Sequence, residues 1–168
     1  RLLVDHLGAR DRVAIVVYAG AAGVVLEPTP GDEKEAILAA LDRLSAGGST
    51  AGGAGIERAY ALARESFDPE GVNRVLLATD GDFNVGPSDR GELERIIDRE
   101  RARGIFLTVL GLGTGNLKDS RMEALAKRGQ GSYAYIDSLD EARKVLVEEA
   151  GGTFTTVASD VKIQVEMN

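Results

Sequence analysis

Hydrophobic residues along this chain follow two patterns, continuous apolar runs and longer stretches with helical spacing. The runs at 12–19, 75–78 and 105–110 are rich in β-branched residues and predict strands, of which 75–78 is buried on both faces. The helically spaced stretches predict helices at 32–44, 53–66, 88–103, 118–128 and 138–149. This alternation indicates an α/β fold, with a doubly wound, mostly parallel sheet covered by helices on both faces.

Two further strands are predicted at the edges of the sheet. Residues 24–27 form a short strand that ends before Pro28, and its closeness to the first run favours a hairpin with one antiparallel edge strand. Residues 131–136 predict a last strand. In the helices, we expect Asp32 to cap the first one, and Leu44 and Leu139 to face the core.

The two ends of the chain differ from the alternating middle. Residues 1–7 predict the last turns of an amphipathic helix closed by Gly8, which implies that upstream sequence precedes residue 1. Beyond 151–152, hydrophobic and polar residues alternate through 161–167 and predict a half-exposed strand. We therefore expect one domain at 1–150, and a linker with a strand at 151–168 that leads into a following segment.

Composition and charge narrow the function classes. The chain has 168 residues, a formal net charge of −7 and no cysteine, which argues against nucleic-acid binding and excludes thiolate chemistry. No apolar run approaches the roughly 18 residues of a membrane-spanning helix. Because His6 is the only histidine, a Ser-His-Asp triad has little support. The charged residues of 92–103, Glu100 among them, predict a solvated helix face of mixed charge.

Candidate chemistry lies in an acid-rich turn and in a glycine-rich loop. Asp80 and Asp82 follow the 75–78 strand, at the carboxyl end where open α/β sheets bind ligands. Ser49 and Thr50 lie among glycines just before a helix. Carboxylate and hydroxyl oxygens, completed by water, suit a hard divalent cation such as Mg²⁺. Helix capping and solvated loop acids are the alternative interpretation of these residues.

The candidates differ in strength. Thr50 and Asp80 are the expected metal ligands, and the residues expected to support them are Ser49, Gly81, Asp82 and Asn84. The glycine-rich segment at 111–115 lacks both the G-x-G-x-x-G spacing and the Walker lysine, so it predicts a tight turn rather than a phosphate loop.

These motifs together resemble the von Willebrand factor type A domain family. The resemblance is carried by GGST at 47–50, by ATDGDFNVG at 78–86 and by the order of strands and helices over about 1–150, and it is closest to a bacterial group. It implies a Rossmann-like three-layer sandwich with a metal-ion-dependent adhesion site at its carboxyl edge. In that family the site takes a threonine and an aspartate that correspond to Thr50 and Asp80, and an acidic side chain of a partner protein completes the coordination.

The chain departs from the family pattern at one point. The family's Asp-x-Ser-x-Ser motif, and the central strand before it, are not found in residues 1–168. That strand would lie between the 12–19 and 75–78 strands, and we expect it upstream of residue 1. We therefore expect residues 1–168 alone to bind metal weakly or not at all.

The leading hypothesis is a non-enzymatic protein-binding module that depends on Mg²⁺, or on Ca²⁺ or Mn²⁺. A metal-assisted phosphohydrolase or nucleotide-binding enzyme built on the turn at 80–82 remains an alternative. A structural scaffold without a functional metal site is a second alternative. The resemblance also suggests the bacterial cell envelope as the location.

Overall fold

The computed structural model describes residues 1–18, 23–44, 52–79, 90–113 and 120–148. The strands are β1 (Arg12–Val17), β2 (Gly23–Pro30), β3 (Asn73–Thr79), β4 (Ile105–Leu112) and β5 (Tyr133–Ile136). The helices are α1 (Lys34–Asp42), α2 (Gly52–Glu65), α3 (Arg90–Ala102), α4 (Ser120–Arg128) and α5 (Leu139–Arg143). A 3-10 turn (Val4–His6) precedes β1, and a π-helical segment (Lys144–Glu148) follows α5. The predicted α/β alternation is confirmed, whereas the boundary near residue 150 lies outside the described residues.

The described strands form two hydrogen-bonded ladders. β3, β4 and β5 are parallel, with Thr79 opposite Gly111 and Leu112 opposite Ile136. β1 and β2 form the expected antiparallel hairpin, and within the described residues no backbone pairing joins the two ladders. Helix α2 packs against β1, β2 and β3, so this helix spans both ladders.

The main core lies between one face of the parallel ladder and helices α2, α3 and α4. Val75 and Leu77 of β3 face this core together with Leu107 and Val109 of β4, as the two-residue period of a strand requires. The helices contribute buried side chains at helical spacing: Ile56, Tyr60, Leu93, Ile96, Ile97, Met122, Leu125 and Ala126. The inward faces predicted for these three helices are therefore confirmed.

The opposite face of the parallel ladder is only partly covered. A smaller cluster of Leu110, Ile136 and Val145 lies at the β5 side. Leu76 is 37% exposed and Ala78 is also exposed, so the prediction that the 75–78 run is buried on both faces is wrong. Among the described helices, α1 packs mainly on β2 and α5 on β5, so neither of them buries this face of β3.

The β1–β2 hairpin is longer and less buried than its sequence predicts. β2 continues through Pro28 to Pro30 because a bulge accommodates the proline: Val13 pairs with Thr29, whereas Ile15 pairs with Leu26. No residue of β1 is fully buried. The expectation of a buried strand is therefore wrong for β1.

Both predicted helix caps in the amino-terminal part are wrong. The first seven residues form only the single 3-10 turn, which ends at an extended Leu7. The backbone N–H of Gly8 instead donates to Asp11 Oδ2 at 2.7 Å. At α1 the N-cap residue is Glu33 rather than Asp32.

Two leucines expected in the core are exposed. Leu44 lies beyond the last residue of α1 and is 41% exposed, and Leu139 occupies the first position of α5 and is 83% exposed. A terminal helical residue can satisfy the hydrophobic periodicity and still lie past the packed surface, which explains both errors. No described helix is long and apolar enough to cross a membrane.

The boundary between α2 and α3 contains a buried carboxylate. Glu100 is 0% exposed, so the solvated face predicted for it is wrong. Its Oε1 accepts bonds from Arg99 Nε at 2.8 Å and Arg64 Nη1 at 2.9 Å, and it pairs with Arg103 Nη1 at 3.3 Å. Burial raises the pKa of Glu100, but the bonds from Arg99 and Arg64 and the charges of Arg64 and Arg103 outweigh burial, so the net pKa is lowered.

This cluster predicts a pH-dependent stability. Folding lowers the pKa of Glu100 below its ordinary value of 4.5, so the ionised carboxylate stabilises the folded state fully at pH values above 4.5. This stabilisation is lost as the pH falls through the folded-state pKa. We expect Glu100→Gln to lower the free energy of unfolding by about 1–3 kcal/mol at pH 7, and by less in acid. Urea unfolding of both proteins between neutral pH and about pH 3 measures this. The exposed substitution Glu92→Gln is the control, and an equal loss for Glu100→Gln at both ends of the range would contradict the prediction.

Tyr60 allows a second stability test. Its side chain is 0% exposed, and within the described ranges its hydroxyl has no hydrogen-bond partner. Burial, followed by the charge of Glu100, raises the pKa of Tyr60. We expect Tyr60→Phe to change the free energy of unfolding by less than about 1 kcal/mol, or to increase it, because an unpaired buried hydroxyl contributes no bond. The control Tyr60→Ala should cost about 3–5 kcal/mol through the cavity it leaves. A loss near the alanine value for Tyr60→Phe would show that the hydroxyl has a structural role.

Candidate functional site at the carboxyl edge of the sheet

Tyr18 links three elements at the edge where β3 ends. It directly follows β1, and its hydroxyl donates to the backbone carbonyl of Ala78, near the end of β3, at an oxygen–oxygen distance of 2.5 Å. Its ring also packs against the main core. The end of β1 and the end of β3 are therefore held at one edge of the molecule by a single side chain.

The first turn of α2 meets the same tyrosine. Gly55 approaches so closely that a Cβ placed on it would lie 2.4 Å from the Cβ of Tyr18, a distance that real side chains do not adopt. Glycine at this position lets the beginning of α2 reach the end of β1. The start of α2 and the ends of β1 and β3 thus converge on Tyr18.

The predicted metal ligands flank this convergence. Thr50 precedes the first residue of α2, Gly52, by two positions, and Asp80 directly follows Thr79, the last residue of β3. Gly52 and Thr79 are both buried. All six predicted site residues lie outside the described residues: Ser49, Thr50, Gly81, Asp82, Asn84 and Asp80 itself. The structure describes Gly52 and Thr79, which lie close to the predicted ligands in sequence, and the ligand geometry stays a prediction.

The end of β4 lies beside this edge. Gly111 pairs with Thr79, and a Cβ on Gly111 would lie 2.7 Å from the hydroxyl of Tyr133. The N–H of Gly113, whose φ is 155°, donates to the carbonyl of Ile136 at 3.2 Å. The first part of the glycine-rich segment is thus packed against β5, and residues 114–119 lie outside the described ranges.

Sequence reasoning missed the role of Tyr18. The one available signal was its position, an aromatic residue with a polar tip at the end of an aliphatic run, where a hydroxyl can bridge to a neighbouring element. Among the described residues, no three histidine, aspartate or glutamate side chains are grouped closely enough to hold a metal ion.

Comparison with known proteins agrees with the fold. The family model that matches is the von Willebrand factor type A domain, over residues 2–148. The chain is 46% identical to the Escherichia coli K12 protein YfbK over 168 residues, which is all of this chain and 29% of that relative. The family resemblance predicted from the sequence is confirmed, and the chain spans less than a third of the relative's length.

Solved structures show the same architecture at low sequence identity. A von Willebrand factor type A protein from Catenulispora acidiphila superposes with a TM-score of 0.71 at 19% identity, covering 91% of this chain and 36% of that one. The manganese-loaded TRAP protein of Plasmodium vivax gives a TM-score of 0.63 at 18% identity, covering 87% of this chain and 61% of that one. At these identities the likeness establishes the fold.

The close contact at Gly55 predicts a sensitive position. We expect Gly55→Ala to lower the free energy of unfolding by about 1–3 kcal/mol, because the new methyl group forces α2 away from Tyr18. Gly91→Ala is a matched control in the first turn of α3, where the nearest atom to a new Cβ is Arg95 Nη1 at 3.9 Å. That control should be neutral or stabilising, since alanine favours helix more than glycine does. Urea unfolding measures both variants, and equal stability of the two would contradict the prediction.

Proposed function

Since the chain belongs to the von Willebrand factor type A domain family, we propose that it is a protein-interaction module that binds its partner through a divalent ion. The ion is held at the carboxyl edge of the sheet by Thr50 and Asp80. The neighbouring residues Ser49, Gly81, Asp82 and Asn84 order the two loops. The partner supplies an acidic side chain to the ion.

The convergence at Tyr18 is the observation that carries this proposal. Thr50 lies two residues before Gly52, and Asp80 lies one residue after Thr79. Two residues reach at most about 7 Å, so neither ligand can be far from its described flank. Both flanks belong to elements that Tyr18 contacts, at Gly55 and at Ala78. This arrangement supports the proposal that Thr50 and Asp80 bind the same ion.

The chemistry of the two ligands supports a hard cation. A threonine hydroxyl and an aspartate carboxylate are oxygen donors of the kind that Mg²⁺ takes together with water, and Mn²⁺ accepts similar ligands. A manganese-loaded structure among the proteins of the same fold supports this class of ion. A divalent ion with one open coordination position accepts a carboxylate oxygen from an acidic side chain of a partner.

The remaining ion ligands are expected from the Asp-x-Ser-x-Ser motif, which residues 1–168 do not contain. We therefore propose that the full translated product of the gene forms the complete site. The 168-residue chain alone should bind the ion weakly or not at all, because a hydroxyl and one carboxylate give too few protein ligands.

Calorimetric titration with Mg²⁺ and with Mn²⁺ tests the site. We expect the full translated product to bind one ion, and Asp80→Asn or Thr50→Ala to weaken binding by about 10-fold or more. Asp80→Asn removes the negative charge of one ligand, and Thr50→Ala removes a hydroxyl ligand. The control is Asp68→Asn, which makes the same carboxylate-to-amide change in the turn between α2 and β3.

Two results would contradict the proposal. Absence of ion binding by the full product would favour the scaffold alternative. Ion binding that is unchanged by Asp80→Asn would place the ion elsewhere. Release of phosphate from nucleotides by the full product, abolished by Asp80→Asn, would instead support the enzyme alternative.

A further inference from the structure

A groove runs between α2 and α3, from Ala54 in the first turn of α2 to Phe67 beyond its last residue. One hollow of about 470 Å³ is lined by Ala54, Glu57, Arg58, Ala61, Arg64, Ile96 and Arg99. A second hollow of about 360 Å³ is lined by Arg64, Phe67, Arg103 and Ile105. Because both hollows include Arg64, we treat them as one surface, the α2–α3 groove.

The α2–α3 groove is positively charged in an acidic protein. The chain has a formal net charge of −7. Within the groove, however, arginines outnumber acids; the charged residues are Arg58, Arg64, Arg99 and Arg103 against Glu57 and the buried Glu100. A basic surface on an acidic molecule attracts an acidic partner and disfavours self-association through the same face.

Glu100 holds three of these arginines in place. Its buried carboxylate bonds Arg99 and Arg64 and pairs with Arg103, so one negative charge is shared by three guanidinium groups. The side chains of Arg64, Arg99 and Arg103 nevertheless stay 37%, 54% and 53% exposed. Guanidinium groups that are already positioned lose less conformational entropy when they bind a carboxylate.

The groove also has an apolar floor. Ala61 and Ile96 line the first hollow, and Phe67 and Ile105 line the second. The two isoleucines are buried, whereas Phe67 is 40% exposed and is the large apolar side chain that the groove offers to a partner. Arginine next to an exposed aromatic ring is typical of protein interfaces.

We propose that the α2–α3 groove docks an acidic peptide segment of a partner protein. Carboxylates of the segment pair with Arg58, Arg64, Arg99 and Arg103, and aliphatic side chains cover Ala61 and Phe67. Amphipathic segments bind grooves between helices in this way. The exposed ring of Phe67 favours a peptide that carries apolar side chains beside its acids over a phosphate backbone, which is polyanionic throughout. This docking needs no metal ion and is independent of Thr50 and Asp80.

The probe is a fluorescein-labelled helical peptide of about 12 residues, with glutamate on one side and leucine on the other. Fluorescence anisotropy in EDTA measures its binding to the protein, with a peptide carrying lysine in place of glutamate as the control. We expect the glutamate peptide to bind and the lysine peptide not to bind. We also expect binding to weaken as salt is raised, because exposed ion pairs are screened.

Substitutions separate docking from folding. Arg58 is exposed and is not among the arginines bonded to Glu100, so Arg58→Glu should keep the fold and weaken peptide binding by about 5-fold or more. Glu57→Lys should strengthen peptide binding, because it replaces an acid of the groove by a positive charge. If the arginines around Glu100 had only a structural role, this variant would not gain affinity. Arg143→Glu, the same charge reversal on α5, is the control and should leave binding unchanged.

Several outcomes would overturn the docking proposal. An unchanged peptide affinity in Arg58→Glu would overturn it, and so would equal binding of the glutamate and lysine peptides. Stronger binding of single-stranded DNA of similar charge would indicate a phosphate-binding surface instead. Loss of peptide binding in EDTA or in Asp80→Ala would assign the peptide to the carboxyl edge instead. Failure of the metal site alone leaves the groove result untouched, so the two proposals fail separately.

Discussion

The close packing of α2 against Tyr18 is the contact on which the described structure depends. The β1–β2 hairpin and the β3–β4–β5 ladder share no backbone pairing among the described residues, and α2 is the helix that contacts strands of both. Gly55 permits that contact, and the Tyr18 hydroxyl completes it at Ala78. This contact adds to the direct packing of α2 on β3, and it connects both elements to the end of β1.

The same helix serves a different surface at its other end. The first turn of α2 reaches the carboxyl edge, whereas Arg64, near its last residue, bonds the buried Glu100 of α3. Apolar packing through Ile56 and Tyr60 holds the helix between these two points. With the proposed ion site at one end and the proposed docking groove along its side, this helix would engage two parts of one partner, or two partners.

Hydrophobic periodicity predicted most of the helices and strands. It predicted burial wrongly where burial depends on an element that is distant in sequence. β4 and the inward faces of α2, α3 and α4 followed the pattern because each element lies against the core along its length. Leu76 fitted the pattern of a doubly buried strand, yet its side chain is exposed. Glu100 fitted the pattern of a solvated face, yet it is buried. The charges of Arg64 in α2, Arg99 in α3 and Arg103 just after α3 compensate the cost of this burial. The candidate site was predicted only as residue types at strand ends, and its ligand geometry is still a prediction.

The sequence by itself determined the α/β alternation, the family and the residue types at the carboxyl edge. These are local properties, since apolar runs, helical spacing and short motifs depend on neighbouring residues along the chain. Only the tertiary structure decided that Tyr18 joins α2 to β3, and that Arg64 and Glu100 meet across two helices. Such contacts join residues far apart in sequence, and their energy depends on distance, burial and partner geometry, which no periodicity contains.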